Sequence, residues 1–571
     1  MAVTVLPFQF DPAELNCSHG PECSLRGVMP EDLMEACDAA PFLADYLHRL
    51  PIDEIGVPHF ASAVKRGIDG RNLIYATPGG LFVHIYPDPV GARDYYVSIE
   101  PTILQDLEPI INQLNEQFIE WAEEIGRITD EEEKRRFLLS IIDQMCVTSP
   151  ALVGAGANGN GSSAHPRAIY VTPRQLEAIR YRVLRDKVGL GVLQPLLLDP
   201  NIEDISCSGV GPIFIEHKMF KSVQSTINFP TPDEVDEFAV WLGEWIKNPV
   251  TVRNPLVDAV LPDGSRINIV YGQEISKRGS NFTIRKFSDT PISVLELIEF
   301  GTLDYMVAAY FSLMMEEGMN MFVVGATASG KTTLLNALNT FIRPEAKIVT
   351  IEDTPEVHVP HKNWVQEVTR SMGRETKGSE VGMFDLLKAA LRQRPDLIIV
   401  GEIRGVEGAV AFQAMQTGHA VMSTFHAASV EKLIQRLTGD PINIPKTYID
   451  NLNLAVIQSA VRLADKRTAR RVMSVNEIIG YDSDSGTFSY LEAFRWNPAT
   501  DKFEFPGYMN SYLLEQRIAM KRGIPPSRRK EIYNELSRRA RIFEKLHKEK
   551  GVRGFDEFFQ VLAEARRQKL F

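Results

Sequence analysis

The sequence predicts an α/β protein with several domains, and three observations lead to this fold class. A chain of 571 residues exceeds what one hydrophobic core holds, so about three or four domains are expected. Small polar residues and glycines dominate positions 154–166, which indicates a tether. From about residue 293 onward, apolar strands alternate with helices, a pattern typical of crossover units on a mostly parallel sheet.

Composition narrows the class of protein. The chain is 44% apolar and 24% charged, as in ordinary globular proteins, and its net charge of -12 counts against direct nucleic-acid binding. Five cysteines are too few for a disulfide framework, so a cytoplasmic location is expected. Neither a run of 18 apolar residues nor a signal peptide is found. We therefore expect membrane association to be peripheral, at the inner face of the cell membrane and through partners.

Four segments are predicted along the chain. Residues 1–152 form an N-terminal extension, with a strand at Gly80–Tyr86 and a helical hairpin between Ile103 and Cys146. Residues 153–168 form a flexible linker.

The last two segments are larger. Residues 169–292 form a smaller α+β domain, with a helix from Pro173 to about Val188 and a turn at Pro262-Asp263-Gly264. Residues 293–571 form the alternating α/β domain, which ends in a helical, locally basic tail.

Residues 325–332 carry the strongest chemical signal. They read Gly-Ala-Thr-Ala-Ser-Gly-Lys-Thr between an apolar strand and a helix, which is the pattern of a phosphate-binding P-loop. Lys331 is expected to reach the β- and γ-phosphates, and the Thr332 hydroxyl to coordinate Mg²⁺. ATP and Mg²⁺ are therefore the predicted ligands. The predicted nucleotide-binding residues are Gly325, Ala326, Thr327, Ala328, Ser329, Gly330, Lys331, Thr332 and Thr333.

Two strand ends carry carboxylates. The strand 347–351 ends in Glu352-Asp-Thr-Pro-Glu356, and such a group can orient a water, although an acidic turn alone would explain it. The strand 397–400 ends in Gly401-Glu402, where Glu402 is a candidate for polarising the attacking water or for contacting Mg²⁺. Which of Glu352 and Glu402 activates water stays open.

Two histidines flank the next predicted strand, 420–424. His419 precedes it and His426 follows it. We predict that both histidines point toward the γ-phosphate and act as a switch. The alternative is that they are ordinary structural histidines.

The order of these motifs resembles the secretion ATPase superfamily of type II and type IV secretion, type IV pili and the archaellum. In that family, the segments 325–332, 352–356, 392–404 and 417–426 correspond to the Walker A, Asp box, atypical Walker B and His box. The resemblance extends upstream to 195–267. It implies a RecA-like domain at 293–571 and a PAS-like domain at 169–292, with the nucleotide between them.

The resemblance also implies further residues and partners. Arg266 and Arg285 match the arginines that reach the phosphates from the smaller domain, and would act there as catalytic charge stabilisers. It further implies a homohexamer that works with a polytopic membrane platform protein and with accessory filament-motor proteins.

Several details separate the chain from the bacterial type II branch. It has no Cys-x-x-Cys zinc insertion, and Lys388 and Arg392 stand where that branch has two arginines. Segments 415–419 and 429–437 look most like the archaellum motor ATPase of euryarchaea. A pilus-assembly or secretion ATPase of the same family, and a nucleotide-gated scaffold with little turnover, stay as alternatives.

Two weaker features remain. Cys17, His19, Cys23 and Cys37 have zinc-ligand chemistry, but their spacing fits no standard pattern and scattered reduced thiols are favoured. Basic residues of the C-terminal tail can face anionic lipid or an acidic partner, although a solvated helix face is favoured. These are Arg528, Arg529, Lys530, Arg538, Arg539 and Arg541.

Overall fold

The computed structural model places the chain in two compact units, residues 1–287 and 288–571. Among the described residues, no helix is both long and apolar enough to cross a membrane. The structure describes residues 2–9, 23–64, 71–88, 91, 93–148, 168–287, 291–370, 381–464, 466–484 and 486–568.

The first unit contains thirteen strands and nine helices in its described part. The strands are β1 Val3–Thr4, β2 His59–Ala61, β3 Leu73–Thr77, β4 Leu81–Tyr86, β5 Tyr95–Ile99, β6 Cys146–Thr148, β7 Ile169–Val171, β8 Ile202–Cys207, β9 Gly211–His217, β10 Lys221–Phe229, β11 Leu256–Val260, β12 Arg266–Val270 and β13 Asn281–Arg285. The helices are α1 Glu31–Ala39, α2 Pro41–His48, α3 Ile52–Ile55, α4 Glu108–Phe118, α5 Ala122–Arg127, α6 Glu131–Met145, α7 Pro173–Lys187, α8 Gln194–Leu198 and α9 Pro232–Trp245.

One sheet runs through most of this unit. Its strand order in the described residues is β11-β12-β13-β8-β9-β10-β5-β4-β3-β2, with β1 on β10. The parallel pair β10–β5 joins strands from the predicted extension to strands from the predicted α+β domain. The predicted linker at 153–168 lies outside the described residues except for its last residue, so the domain boundary there stays a prediction.

Local sequence rules explain the helix starts of this unit. Asp130 caps α6 by accepting a hydrogen bond from the Glu133 amide. Thr172 and Gln175 form a reciprocal capping box at the start of α7. The helical hairpin and the helix from Pro173 thus lie where the sequence predicts them.

Only two of the four residues with zinc-ligand chemistry, Cys23 and Cys37, lie among the described residues. Cys17 and His19 lie outside those residues. Burial raises the pKa of Cys37 to about 12, which disfavours the thiolate that zinc requires. Within the described part of the chain, no group of three or more His, Cys, Asp or Glu side chains is arranged to hold a metal ion.

The second unit contains nine strands and nine helices in its described part. The strands are β14 Met321–Val324, β15 Ile348–Glu352, β16 Trp364–Val368, β17 Leu397–Glu402, β18 Ala420–Phe425, β19 Leu454–Arg462, β20 Thr468–Asp482, β21 Thr487–Asn497 and β22 Lys502–Glu504. The helices are α10 Val294–Glu299, α11 Tyr305–Glu316, α12 Lys331–Leu338, α13 Met383–Ala390, α14 Glu407–Gln416, α15 Val430–Thr438, α16 Ala519–Lys521, α17 Ile532–Lys548 and α18 Phe555–Arg567.

The sheet of this unit has the order β16-β15-β17-β18-β14-β19-β20-β21-β22. The strands from β16 to β19 in this order are mutually parallel, and β20 to β22 add to them as an antiparallel meander. The central strands β14, β15 and β18 are buried along their whole length, as parallel strands covered by helices on both faces must be. The predicted α/β fold with a RecA-like domain is confirmed.

The C-terminal tail packs on this unit through a buried cation. Arg539 is only 1% exposed and pairs with Glu316 at 2.6 Å and with Glu535 at 3.0 Å. The prediction that Arg539 belongs to a solvated or lipid-facing basic patch is therefore wrong, because a buried guanidinium needs these carboxylates to offset its desolvation. The exposed Arg528 and Arg538 pair with neighbouring glutamates.

The first unit contains a buried histidine, His217. His217 accepts hydrogen bonds at Nδ1 from the amides of Met219 and Phe220, and its Nε2 lies 3.2 Å from the Tyr75 hydroxyl. Burial lowers the pKa of His217 to about 4, although Asp199 opposes the shift.

Because the folded pKa lies below the unfolded value of 6.5, this histidine contributes stability above pH 6.5 that is lost as pH falls toward 4. The full loss is about 3 kcal/mol. In urea unfolding at pH 7.5 and pH 4.5, we expect His217→Gln to lose less stability on acidification than the wild type. His59→Gln, at an exposed histidine, is the matched control. Equal acid sensitivity of His217→Gln and wild type would contradict this account.

Candidate functional site

The loop between β14 and α12 is packed so tightly that only glycine fits at two of its positions. A Cβ on Gly325 would lie 2.2 Å from the backbone oxygen of Gln458. Gly330 precedes α12 with φ of 89°, a left-handed conformation that glycine adopts without strain. The loop therefore holds its amides and the start of α12 close to anything that binds there.

The start of α12 provides an anion site. The first N–H groups of a helix have no partner within it, and the helix dipole adds positive potential at this end. Lys331, Thr332 and Thr333 occupy this first turn and are half-buried. Lys331 Nζ donates to the Ala326 carbonyl oxygen at 3.0 Å, so the lysine lies along the inside of the loop.

Charged groups surround the Lys331 ammonium. Burial lowers its pKa, Glu402 and Glu356 act in the opposite direction, and Arg404 adds to the lowering. The structure thus brings Glu402 within electrostatic reach of the loop lysine. Glu402 itself is partly exposed and accepts a hydrogen bond at Oε2 from Arg404 Nε at 2.8 Å.

Glu352 lies in a different environment from Glu402. It is 1% exposed, and its Oε1 accepts hydrogen bonds from the amides of Glu356 and Val357, each at 2.7 Å. Burial raises its pKa to about 7, against the effect of these amides. The close approach of its side chain to Gly401 leaves room for no larger residue there without movement. Glu352 therefore organises the acidic turn that follows β15.

The two histidines lie at opposite ends of β18. His426 follows the carboxyl end, and its Nε2 lies 2.7 Å from the Thr327 hydroxyl in the loop. His419 precedes the strand and lies next to Thr417, with 3.2 Å between its Nδ1 and the threonine hydroxyl. A strand of six residues is about 20 Å long, so His419 is at the far edge of the sheet. The expectation that both histidines point at the loop is corrected to His426 alone.

Arg266 and Arg285 are neighbours in the first unit. They are direct partners across the antiparallel pair β12–β13. The Arg285 side chain is 65% exposed and lies 4.0 Å from Asp204. The two arginines therefore lie side by side on this sheet. Their predicted role at the phosphates stays a prediction.

Three residues at the loop were not singled out from the sequence. Arg404 pairs with Glu402, and both Gln458 and Arg470 contact the opposite side of the loop. Arg404 lies two residues after Glu402, the carboxylate at the end of β17. This spacing would have identified Arg404 as a site residue from the sequence. Gln458 lies on β19 and Arg470 on β20, and the pairing of these two strands has no motif in the sequence.

A match to a family model shows to which family the chain belongs. The model described as "Type II/IV secretion system protein" matches residues 186–490, which is more than half of the chain. The chain belongs to this family. Its P-loop, strand-end carboxylates and His426 all lie within the matched region.

The chain is also similar to individual proteins. The uncharacterized protein MJ0900 of Methanocaldococcus jannaschii is 43% identical over 527 residues, covering 91% of this chain and 94% of that protein. The type IV secretion system protein PtlH of Bordetella pertussis is 31% identical over 274 residues, covering 44% of this chain and 79% of its own. The X-ray structure of the Legionella pneumophila ATPase DotB covers 64% of this chain and 93% of its own, with 20% identity and a TM-score of 0.37.

Proposed function

We propose that the chain binds and hydrolyses ATP at the loop 325–332 and uses the reaction to drive a type II/IV secretion-type machine. One observation carries the proposal: Lys331, Glu402 and His426 converge on this loop from adjacent elements. The carboxyl ends of parallel strands meet at one edge of a sheet, so β14, β17 and β18 deliver these groups together. Positioning and charge stabilisation are what phosphoryl transfer to water requires.

The residues of the loop fit a nucleotide triphosphate and its magnesium ion. Loop amides and Lys331 would hold the phosphates, and the two tightly packed glycines allow the backbone to approach them. Thr332 would hold Mg²⁺ through a hard oxygen donor, the kind of ligand this ion prefers, and Glu402 would contact the ion through water. When bound, Mg²⁺ neutralises phosphate charge.

We assign water activation to Glu402 and a positioning role to Glu352. Glu402 is partly exposed and interacts electrostatically with Lys331. Glu352 is buried, and one of its oxygens is already held by two backbone amides. A general base must reach the proton that it abstracts, and Glu402 is the carboxylate with that access. His426, beside Thr327, would sense the terminal phosphate, and Arg266 and Arg285 would stabilise developing charge.

Phosphate release by the purified full-length chain tests the chemistry. We expect Lys331→Ala to remove turnover and Glu402→Gln to lower kcat by about 100-fold or more while ATP still binds. Glu352→Gln should lose less, because its Oε1 can still accept the two amides. Lys432→Ala, at an exposed lysine of α15, is the matched control and should behave as wild type. Wild-type turnover no faster than Lys331→Ala would contradict the proposal and favour a nucleotide-gated scaffold.

We further propose that the machine is a homohexamer that powers assembly or rotation of an archaellum through a polytopic membrane platform protein. Membership of the family and the 43% identity to an archaeal protein support a role in an archaeal machine of this kind. In cells that lack the chain, we expect swimming to be lost while pili remain. Retained swimming with lost pili would contradict the archaellum and favour a pilus-assembly ATPase.

A further inference from the structure

The P-loop has a second flank that the hydrolysis chemistry does not use. In the sheet, β14 lies between β18 and β19. His426 and Glu402 belong to the β18 side, where the reacting phosphate would lie. The other side is formed by β19 and β20.

Two side chains from β19 and β20 touch the loop. A Cβ on Gly330 would lie 3.0 Å from Gln458 Nε2 and 2.9 Å from Arg470 Cδ. Arg470 Nε donates to the Ala328 carbonyl oxygen at 3.2 Å. Arg470 is exposed at this position, so its guanidinium lies at the surface of the loop.

A β-bulge determines which arginine of β20 faces the loop. Ile457 pairs with Ser474, whereas the next residue, Gln458, pairs with Val472, so Met473 is an extra residue. A shift of one residue exchanges the two faces of a strand. Beyond the bulge, Arg471 is 3% exposed and pairs with Asp501 at 2.8 Å, and Arg470 is directed to the other face.

Gln458 is the second side chain on this flank. Its side chain is 2% exposed, and its carboxamide oxygen has no hydrogen-bond partner among the described residues. A phosphate oxygen is also an acceptor, so only the Nε2 amide group of this side chain can donate a hydrogen bond to it. The Gln458 atom that approaches Gly330 at the start of α12 is this donor, Nε2.

We propose that Arg470, supported by Gln458, binds the base-proximal end of the nucleotide through its α-phosphate. The inference rests on the proposed function. If the γ-phosphate lies between Glu402 and His426, the remainder of the nucleotide extends across the loop toward β19 and β20. The guanidinium then exchanges the Ala328 carbonyl for a phosphate oxygen, a stronger, charge-assisted hydrogen bond. Because this end of the nucleotide does not react, Arg470 contributes binding and no chemistry.

Calorimetric titration with ATP and with ADP, together with kcat and KM, tests the inference. We expect Arg470→Ala to weaken both nucleotides about tenfold or more and to raise KM, with kcat within about twofold of wild type. Arg470→Lys should recover part of the affinity, since it keeps the charge. Arg541→Ala is the matched control, an exposed arginine of α17 in the same unit.

The outcomes separate this inference from the proposed function. Arg470→Ala that binds ADP with wild-type affinity, or that loses kcat as severely as affinity, overturns the assignment of Arg470. Either result leaves hydrolysis by the wild type intact. A wild-type chain that binds neither nucleotide overturns the proposed function, and the Arg470 inference with it.

Discussion

The site depends on the packing of the β14–α12 loop against the backbone of β19. Gly325 approaches the Gln458 carbonyl so closely that no side chain fits between them. This contact fixes where the loop leaves the sheet, and hence where α12 begins. The groups that we propose to act on a bound phosphate surround that helix start. A loop displaced from β19 would still contain Lys331 but would no longer face Glu402 and His426.

Because β14 lies between β18 and β19 in the sheet, groups reach the loop from two sides. One side carries a partly exposed carboxylate and a histidine, and the other carries an arginine and a buried carboxamide. The two carboxylates also differ in their surroundings. Burial raises the pKa of Glu352 to about 7 and two amides hold one of its oxygens, whereas Glu402 pairs with a solvent-exposed arginine. The different roles proposed for Glu352 and Glu402 rest on this difference in surroundings.

Local patterns predicted much of the fold and part of the site. The P-loop, its flanking strand and helix, and the strand ends at Glu352 and Glu402 follow from signals within about ten residues. The pairing of strands that are distant in sequence was not predicted. The bulge that directs Arg470 to the loop depends on register between β19 and β20, which no local signal specifies. The role of His419 was misjudged because flanking a strand does not distinguish its two ends. Arg539 was misjudged because its partner Glu316 is distant in sequence.

The most direct test of this account is hydrogen–deuterium exchange of the full-length chain with and without Mg²⁺ and a non-hydrolysable ATP analogue. If the loop amides and the first turn of α12 cradle the phosphates, exchange at residues 326–333 slows when the analogue binds. The same residues in Lys331→Ala should show less slowing at equal analogue concentration. Unchanged exchange at 326–333, under conditions in which calorimetry shows the analogue to be bound, would contradict the account.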